Sequence, residues 1–283
     1  MTHIAAELGR RVGRRPFAAL AAAVTLLVLG VALYLLAGER PPPAYSLADV
    51  RVGATQVPRA FLSDLPATAL MEAESAARKD IFVRTILPLV LRSNETIRAE
   101  RARLLDLSER RLAGERLPRK ERAWLSRLAK RYGEPADELA ALARRVDVIP
   151  PSLALTQAAV ESAWGTSRFA LEGNALFGVR TYEQASAMVP RERDGNASYA
   201  VRRYNRLADS IRVYIHTLNT HRAYRDLRRL REEMRGRGGI VDGRRLLPSL
   251  GNYAEDSSYL ELLNKVMRGG RFWEFDRASL GDR

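Results

Sequence analysis

The sequence predicts a mainly α-helical protein with one small β-hairpin lobe, preceded by a helical arm and an N-terminal transmembrane helix. Three observations carry this. Residues 148–165 read as a helix that is apolar nearly all round, the pattern of a buried helix. Leu207, Ile211, Tyr214, Ile215 and Leu218 recur at helical spacing and form a core-facing stripe. Between them, Ser198 to Tyr204 alternates and holds aromatic and β-branched residues. Asp194-Gly195 precedes that run and Ala187-Met188-Val189 lies on its other side, which signals a hairpin over 186–204.

The totals narrow the classes. The chain has 283 residues, enough for one or two domains with a sizeable core. It contains no cysteine, so disulfides and thiolate metal sites are excluded. Its net charge of +14 is carried almost wholly by arginine. No stretch interleaves basic and aromatic residues as a nucleic-acid platform would, so no nucleic-acid partner is expected.

Taken in order, residues 1–16 are a basic tail with Arg10, Arg11, Arg14 and Arg15. Phe17 to Ala37 has no charge and, at about 1.5 Å per residue, is long enough to cross a hydrocarbon core of about 30 Å. The upstream arginines place its N-terminus inside. The run ends in Leu-Leu-Ala-Gly-Glu-Arg, a poor cleavage site, so an uncleaved, single-pass inner-membrane anchor is expected, with the remaining chain outside. Residues 38–66 contain Pro41, Pro42, Pro43, Pro58 and Pro66 and read as an extended linker. Residues 67–146 form a helical arm. Ile81, Phe82, Ile86 and Leu87 give its first stripe, continued by Ile97, Leu104, Leu105 and Leu112 after a kink at Pro88. Pro118 breaks the run; a second helix carries Trp124, Leu125 and Leu128, and a third Leu139 and Leu142.

Residues 147–270 form the domain that carries the chemistry. Pro150 and Pro151 start its first helix, because proline lacks a donor the first turn leaves unpaired anyway. Gly165 stops it. Gln157, Glu161 and Trp164 lie at i, i+4 and i+7 and share one stripe. A carboxylate on a buried helix beside an indole has its pKa raised by desolvation, as a general acid near neutral pH requires. A rim carboxylate paired with Arg168 fits the same spacing. A last helix runs from about Ser258 to Met267, stopped by Gly269-Gly270, and 271–283 is a tail.

Glu-Ser-x-Trp-Gly (Glu161 to Gly165), followed by Asn-x-Leu-Phe-Gly (Asn174 to Gly178), resembles the glucosaminidases of glycoside hydrolase family 73, and most closely their Bax-type members. The runs Ile81-Phe82-x4-Leu87-Pro88, Leu218-Asn219-Thr220-His221-x-Ala223-Tyr224 and Tyr253-Ala-x-Asp-x-x-Tyr259 extend the likeness over roughly 58–268. The resemblance implies a lysozyme-like fold, cleavage of peptidoglycan glycan strands and Glu161 as the general acid. It implies Tyr253 as a tyrosine lining the cleft, with Tyr259 nearby; a tyrosine pair holding the last helix fits equally well. Gln157, Trp164 and Asn174 join them as candidate substrate contacts. Phe177 is a further candidate, although its setting favours core.

For a second carboxylate, Glu192 stands two residues before the Asp194-Gly195 turn, where a hairpin hangs it over a cleft. Arg191 and Arg193 beside it fit a solvated charge cluster as well. Glu183 and Asp194 are the other acidic residues between Gly178 and Tyr204. Without a second carboxylate, the substrate's own acetamido group serves as nucleophile, as in substrate-assisted glycosidases. No metal or cofactor is expected: His216 and His221 are five apart and lie on different faces. A lytic transglycosylase is a rival reading, but the Gly-Leu-Met-Gln-type stretch of those enzymes is absent. A non-catalytic, membrane-anchored scaffold is the rival of another class.

Overall fold

The computed structural model describes residues 41–183, 187–189, 200–253 and 257–282. The expected membrane segment 17–37 lies outside them. Among the described residues no helix is long and apolar enough to cross a membrane.

The fold is built along helix α3, Ser75–Leu112, which follows α1 (Leu47–Arg51) and α2 (Ala67–Glu72). Its 38 residues span about 57 Å. It runs on through Pro88, which is itself buried, so the expected kink does not end the helix. Its buried stripe is Phe82, Ile86, Leu87, Val90, Ile97, Leu104 and Leu107. Leu105 and Leu112 lie off that stripe and are 40% and 85% exposed, which corrects the expected register. Helices α4 (Arg119–Tyr132) and α5 (Leu139–Arg145) follow, with Pro118 at the N-cap of α4.

Helix α6, Pro151–Glu161, is the buried helix. It packs on α3, on α10 (Gly243–Leu246), on α11 (Ser257–Gly269) and on the 3-10 helix Phe272–Arg277. Two side chains fix its start. Asn94 of α3 donates to Ile149 O (2.8 Å) and accepts from Ile149 N (3.2 Å). Asp276 accepts from Ser152 N and Ser152 Oγ, both at 2.9 Å, and from Gly243 N at 2.9 Å. One carboxylate thus satisfies first-turn donors of α6 and of α10 together.

Asp276 belongs to the stretch expected as a C-terminal tail, and that expectation is corrected. Phe272 and Phe275 are fully buried in the core, and Leu280 pairs with Val57 in a parallel bridge. The expected linker is folded as well. Ser46 caps α1, Leu47 and Val50 are buried, and Arg59 makes a two-pronged bond to Glu95 (3.0 and 2.8 Å). Apolar residues three apart override the prolines, because burying them outweighs the extended preference.

Helix α7 (Arg168–Gly173) leads to a three-stranded antiparallel sheet of order β1-β3-β2: β1 Arg180–Thr181, β2 Ala187–Met188 and β3 Ala200–Arg202. Met188 pairs with Val201, which is the expected hairpin; β1 is an additional strand on its other side. Gly173 lets the lobe close onto α7: a Cβ there would come to 2.2 Å from Met188 Sδ. Helices α8 (Leu207–Thr220) and α9 (Arg225–Gly236) complete the core, with Leu207, Ile211, Tyr214, Ile215 and Leu218 all buried.

Candidate active site

Helix α6 ends at Glu161 because the chain turns left-handed: Ala163, Trp164 and Gly165 have φ of 50°, 60° and 81°. Non-glycine residues avoid this region, at a cost of about 1 kcal/mol each. Ser162 holds the turn, donating to Ala158 O (2.6 Å) and accepting from Gly165 N (2.8 Å). Gly165 is a required glycine, since a Cβ there would meet Leu70 and Phe82 at 3.1 Å. We expect Gly165→Ala to destabilise the protein by about 1–3 kcal/mol; urea denaturation with an unchanged midpoint would contradict this.

The left-handed turn removes Trp164 from the stripe it was expected to share. Its ring packs edge-on to Phe82 (5.8 Å) and Phe272 (6.0 Å), with Lys79 Nζ 5.2 Å from its centroid. It ties the arm to the C-terminal segment. Gln157 and Glu161 keep the predicted relation. Arg168 does not pair with Glu161; it bonds Val189 O (2.8 Å) and lies 3.5 Å from Glu172.

A hydrogen-bonded row runs along this face. Tyr214 Oη of α8 donates to Gln157 Oε1 at 2.6 Å, Gln157 Nε2 donates to Tyr259 Oη at 3.2 Å, and Tyr259 Oη donates to Glu161 Oε1 at 2.8 Å. Phe177 stacks flat on Tyr214, with centroids 3.9 Å apart and planes at 5°. Phe177 is 1% exposed and Gln157 fully buried, so neither presents a surface to a glycan; both support the row from behind. Asn174, the left-handed C-cap of α7, donates to Asp64 Oδ1 (2.8 Å) and Tyr204 O (3.3 Å) and is buried, a brace for the lobe.

Tyr253 ends the 3-10 helix Leu247–Tyr253, and its side chain lies outside the described residues, as do Glu192 and Asp194. Glu183 is exposed beyond β1.

Burial pushes the Glu161 carboxyl above the ordinary carboxylate range, and the Tyr259 bond pulls it partly back. Tyr224 is raised to about 12 by burial and by the Glu161 charge. Oε1 is held by Tyr259. Oε2 faces Gly178, whose φ is 58° and where even a Cβ would stand 3.9 Å away. Burial favours the protonated carboxyl, and with Oε1 accepting from Tyr259 the proton belongs on Oε2, on the side of Gly178. Sequence reasoning takes Tyr214 only as core and names Tyr224 only within a shared run, with no role at the site. The available signal was their hydroxyls, since buried tyrosines need partners.

Residues 136–271 match the glucosaminidase family profile, described as mannosyl-glycoprotein endo-beta-N-acetylglucosaminidase. The chain is 32% identical over 183 residues to Protein bax of Escherichia coli strain K12, a match covering 62% of this chain and 64% of that protein. The chain thus spans a little under two thirds of that relative's length. Among solved structures, the catalytic domain of the autolysin Auto from Listeria monocytogenes aligns over 82% of this chain and 99% of its own, at 17% identity and a TM-score of 0.36.

Proposed function

We propose, from the premise that residues 136–271 form a glucosaminidase-type domain of the glycoside hydrolases, that this chain is a peptidoglycan hydrolase with a lysozyme-like catalytic fold. It cuts the β-1,4 bond on the reducing side of N-acetylglucosamine, with Glu161 as general acid. The single observation that carries the reading is the Glu161 carboxyl. It is half-buried at the end of a buried helix, raised in pKa by that burial, held on Oε1 by Tyr259, with Oε2 on the side of Gly178. Protonation of the leaving oxygen by Oε2 breaks the C1–O bond; water then supplies the hydroxyl to C1, and its second proton restores the carboxyl.

For the opposite face of the sugar, Glu192 is our candidate carboxylate, and the substrate acetamido group is its rival. Turnover of a defined glycan oligomer decides between them. Glu192→Gln should fall far below Glu183→Gln and Asp194→Asn; near wild-type turnover in all three assigns the role to the acetamido group. The test of the proposal as a whole is loss of turbidity from purified sacculi on addition of the full chain. Intact sacculi at high enzyme concentration contradict it.

We further propose that Phe17–Ala37 is a single-pass anchor holding the domain outside the inner membrane, on the strength of its uncharged length and the arginines before it. A reporter that folds only in an oxidising compartment, fused behind Arg283, should be active. Activity of the complementary cytoplasmic reporter instead overturns this topology.

A further inference from the structure

We propose that Tyr214 and Gln157 are positioning residues for the acid: the Tyr214 hydroxyl fixes the Gln157 amide so that the Tyr259 hydroxyl presents its proton to Glu161 Oε1. This rests on the reading of Glu161 as general acid and adds to it the device that orients the carboxyl.

The polarity of the row follows from what each group can donate and accept. Tyr214 Oη is 2.6 Å from Gln157 Oε1, a short bond in which the hydroxyl donates to the amide oxygen. That contact turns Nε2 toward Tyr259, 3.2 Å away. An N–H aimed at Tyr259 Oη occupies an acceptor position there, so the Tyr259 proton points away from Gln157 and onto Glu161 at 2.8 Å. If the amide turned over, Oε1 would face Tyr259 and draw that proton to itself, and Glu161 would lose its donor. Tyr214 guards against the turn because it is rigid. It is 3% exposed and stacked flat on Phe177, which is itself 1% exposed.

Glycan reaches neither Gln157, which is fully buried, nor Tyr214. Their effect must pass through Tyr259, which separates it from a binding role. The charges around Glu161 leave this row as the tuning element. Of the elements packed on α6, α11 contributes Tyr259, and Tyr224 is the further titratable group that senses the Glu161 charge. Among the described residues no Lys, Arg or His shifts Glu161, and the ion pairs on α3, α10 and Phe272–Arg277 close on other carboxylates.

The experiment uses the full chain with Tyr214→Phe, Gln157→Met and the double variant. Tyr214→Phe keeps the ring stacked on Phe177 and removes only the hydroxyl, so it is expected to fold. Three readouts are taken on a defined glycan oligomer. First, kcat should fall about tenfold, the equivalent of one buried hydrogen bond, with KM unchanged. Second, in Tyr214→Phe the basic limb of the kcat–pH profile should move to higher pH, because Glu161 has lost the donor that favours its ionised form. Third, Gln157→Met and the double variant should both keep the wild-type limb, since without the amide oxygen nothing draws the Tyr259 proton away from Glu161.

A carboxyl-13C titration of Glu161 by NMR reads the same shift without activity and so stands apart from the catalytic reading. Its upward movement in Tyr214→Phe supports the row. An unmoved titration, or additive losses with a KM increase, overturns the proposal and reduces Tyr214 to core packing. If Glu161→Gln stays active while the titration still moves, the acid reading falls and the hydrogen-bonded row stands.

Discussion

Glu161→Gln is expected to lower turnover on sacculi by about 10²–10⁴-fold while the protein stays folded, because the amide keeps the shape and loses the transferable proton. Tyr259 retains its acceptor, since the amide oxygen can occupy the place of Oε1. No cation is orphaned, because Glu161 makes no ion pair with an Arg or Lys of the described residues. The sign of the stability change follows from the raised pKa. A carboxyl whose folded pKa lies above its unfolded value is destabilising where it is ionised, so at pH 7 the neutral amide should leave Tm unchanged or slightly higher. A variant that folds and cuts at the wild-type rate removes Glu161 from the acid role. A variant that melts early shows that the carboxylate serves the fold instead.

The second large effect concerns stability and lies behind the site. Arg231 of α9 is 1% exposed and donates to Asp147 O (3.3 Å), Val148 O (2.9 Å), Asn219 Oδ1 (2.8 Å) and Arg144 O (2.8 Å). It therefore ties the end of α5 and the entry to α6 onto α8 and α9. Its guanidinium is pushed down to about 10, by burial first. Asp147, 2% exposed, is pushed up by burial, yet Arg235, Arg231 and Arg101 together hold it below the ordinary range. Arg231→Met keeps the unbranched bulk but removes the donor to four acceptors, of which Asp147 O keeps Asn219 Nδ2 (2.8 Å), and takes away a cation 3.8 Å from the buried Asp147 carboxylate. Breaking a buried pair from one side costs about 3–5 kcal/mol, and chemical denaturation should show a loss of that size at pH 7. Asp147 has a folded pKa below its unfolded value of about 3.9. Its contribution is present above that value and lost as pH falls through the folded one. The gap between wild type and Arg231→Met should therefore narrow below about pH 4. A pH-independent gap would mean that the carbonyl bonds alone carry the effect.

How far the site was legible depends on which signals are local. Gln157 and Glu161 were readable because both sit within one helix, where four residues make one turn. Trp164 was not: the same arithmetic assumes the helix continues, whereas it stops at Glu161 in a left-handed turn through Ala163 and Trp164. Neither residue type announces a positive φ, and the turn is enforced from outside by Leu70 and Phe82 packed against Gly165. Tyr214 sat in plain view in a core stripe, but its hydroxyl partner lies 57 residues away on another helix. Helical spacing reports which face is buried, not what a polar tip meets there.

The ends of the folded unit were misread for a related reason. Five prolines suggested an extended linker over 38–66, yet Ser46 before Leu47 and Val50 is a capped, amphipathic turn. Residues 271–283 follow two glycines and looked like a tail, yet Phe272 and Phe275, three apart, reach the core and carry Asp276 to the start of α6. In both stretches a pair of apolar residues at helical spacing outweighed the breakers around it.

Hydrolysis of a glycan strand through Glu161 leaves its mark in the chemistry of the released ends. Purified sacculi are digested with the full chain in water enriched in 18O, and the fragments are read by mass spectrometry. The expected products are fragments with N-acetylglucosamine at the reducing end, each carrying one solvent oxygen at C1, and none from Glu161→Gln. Fragments ending in an anhydro sugar with no solvent oxygen would contradict it, because the bond would then break without water.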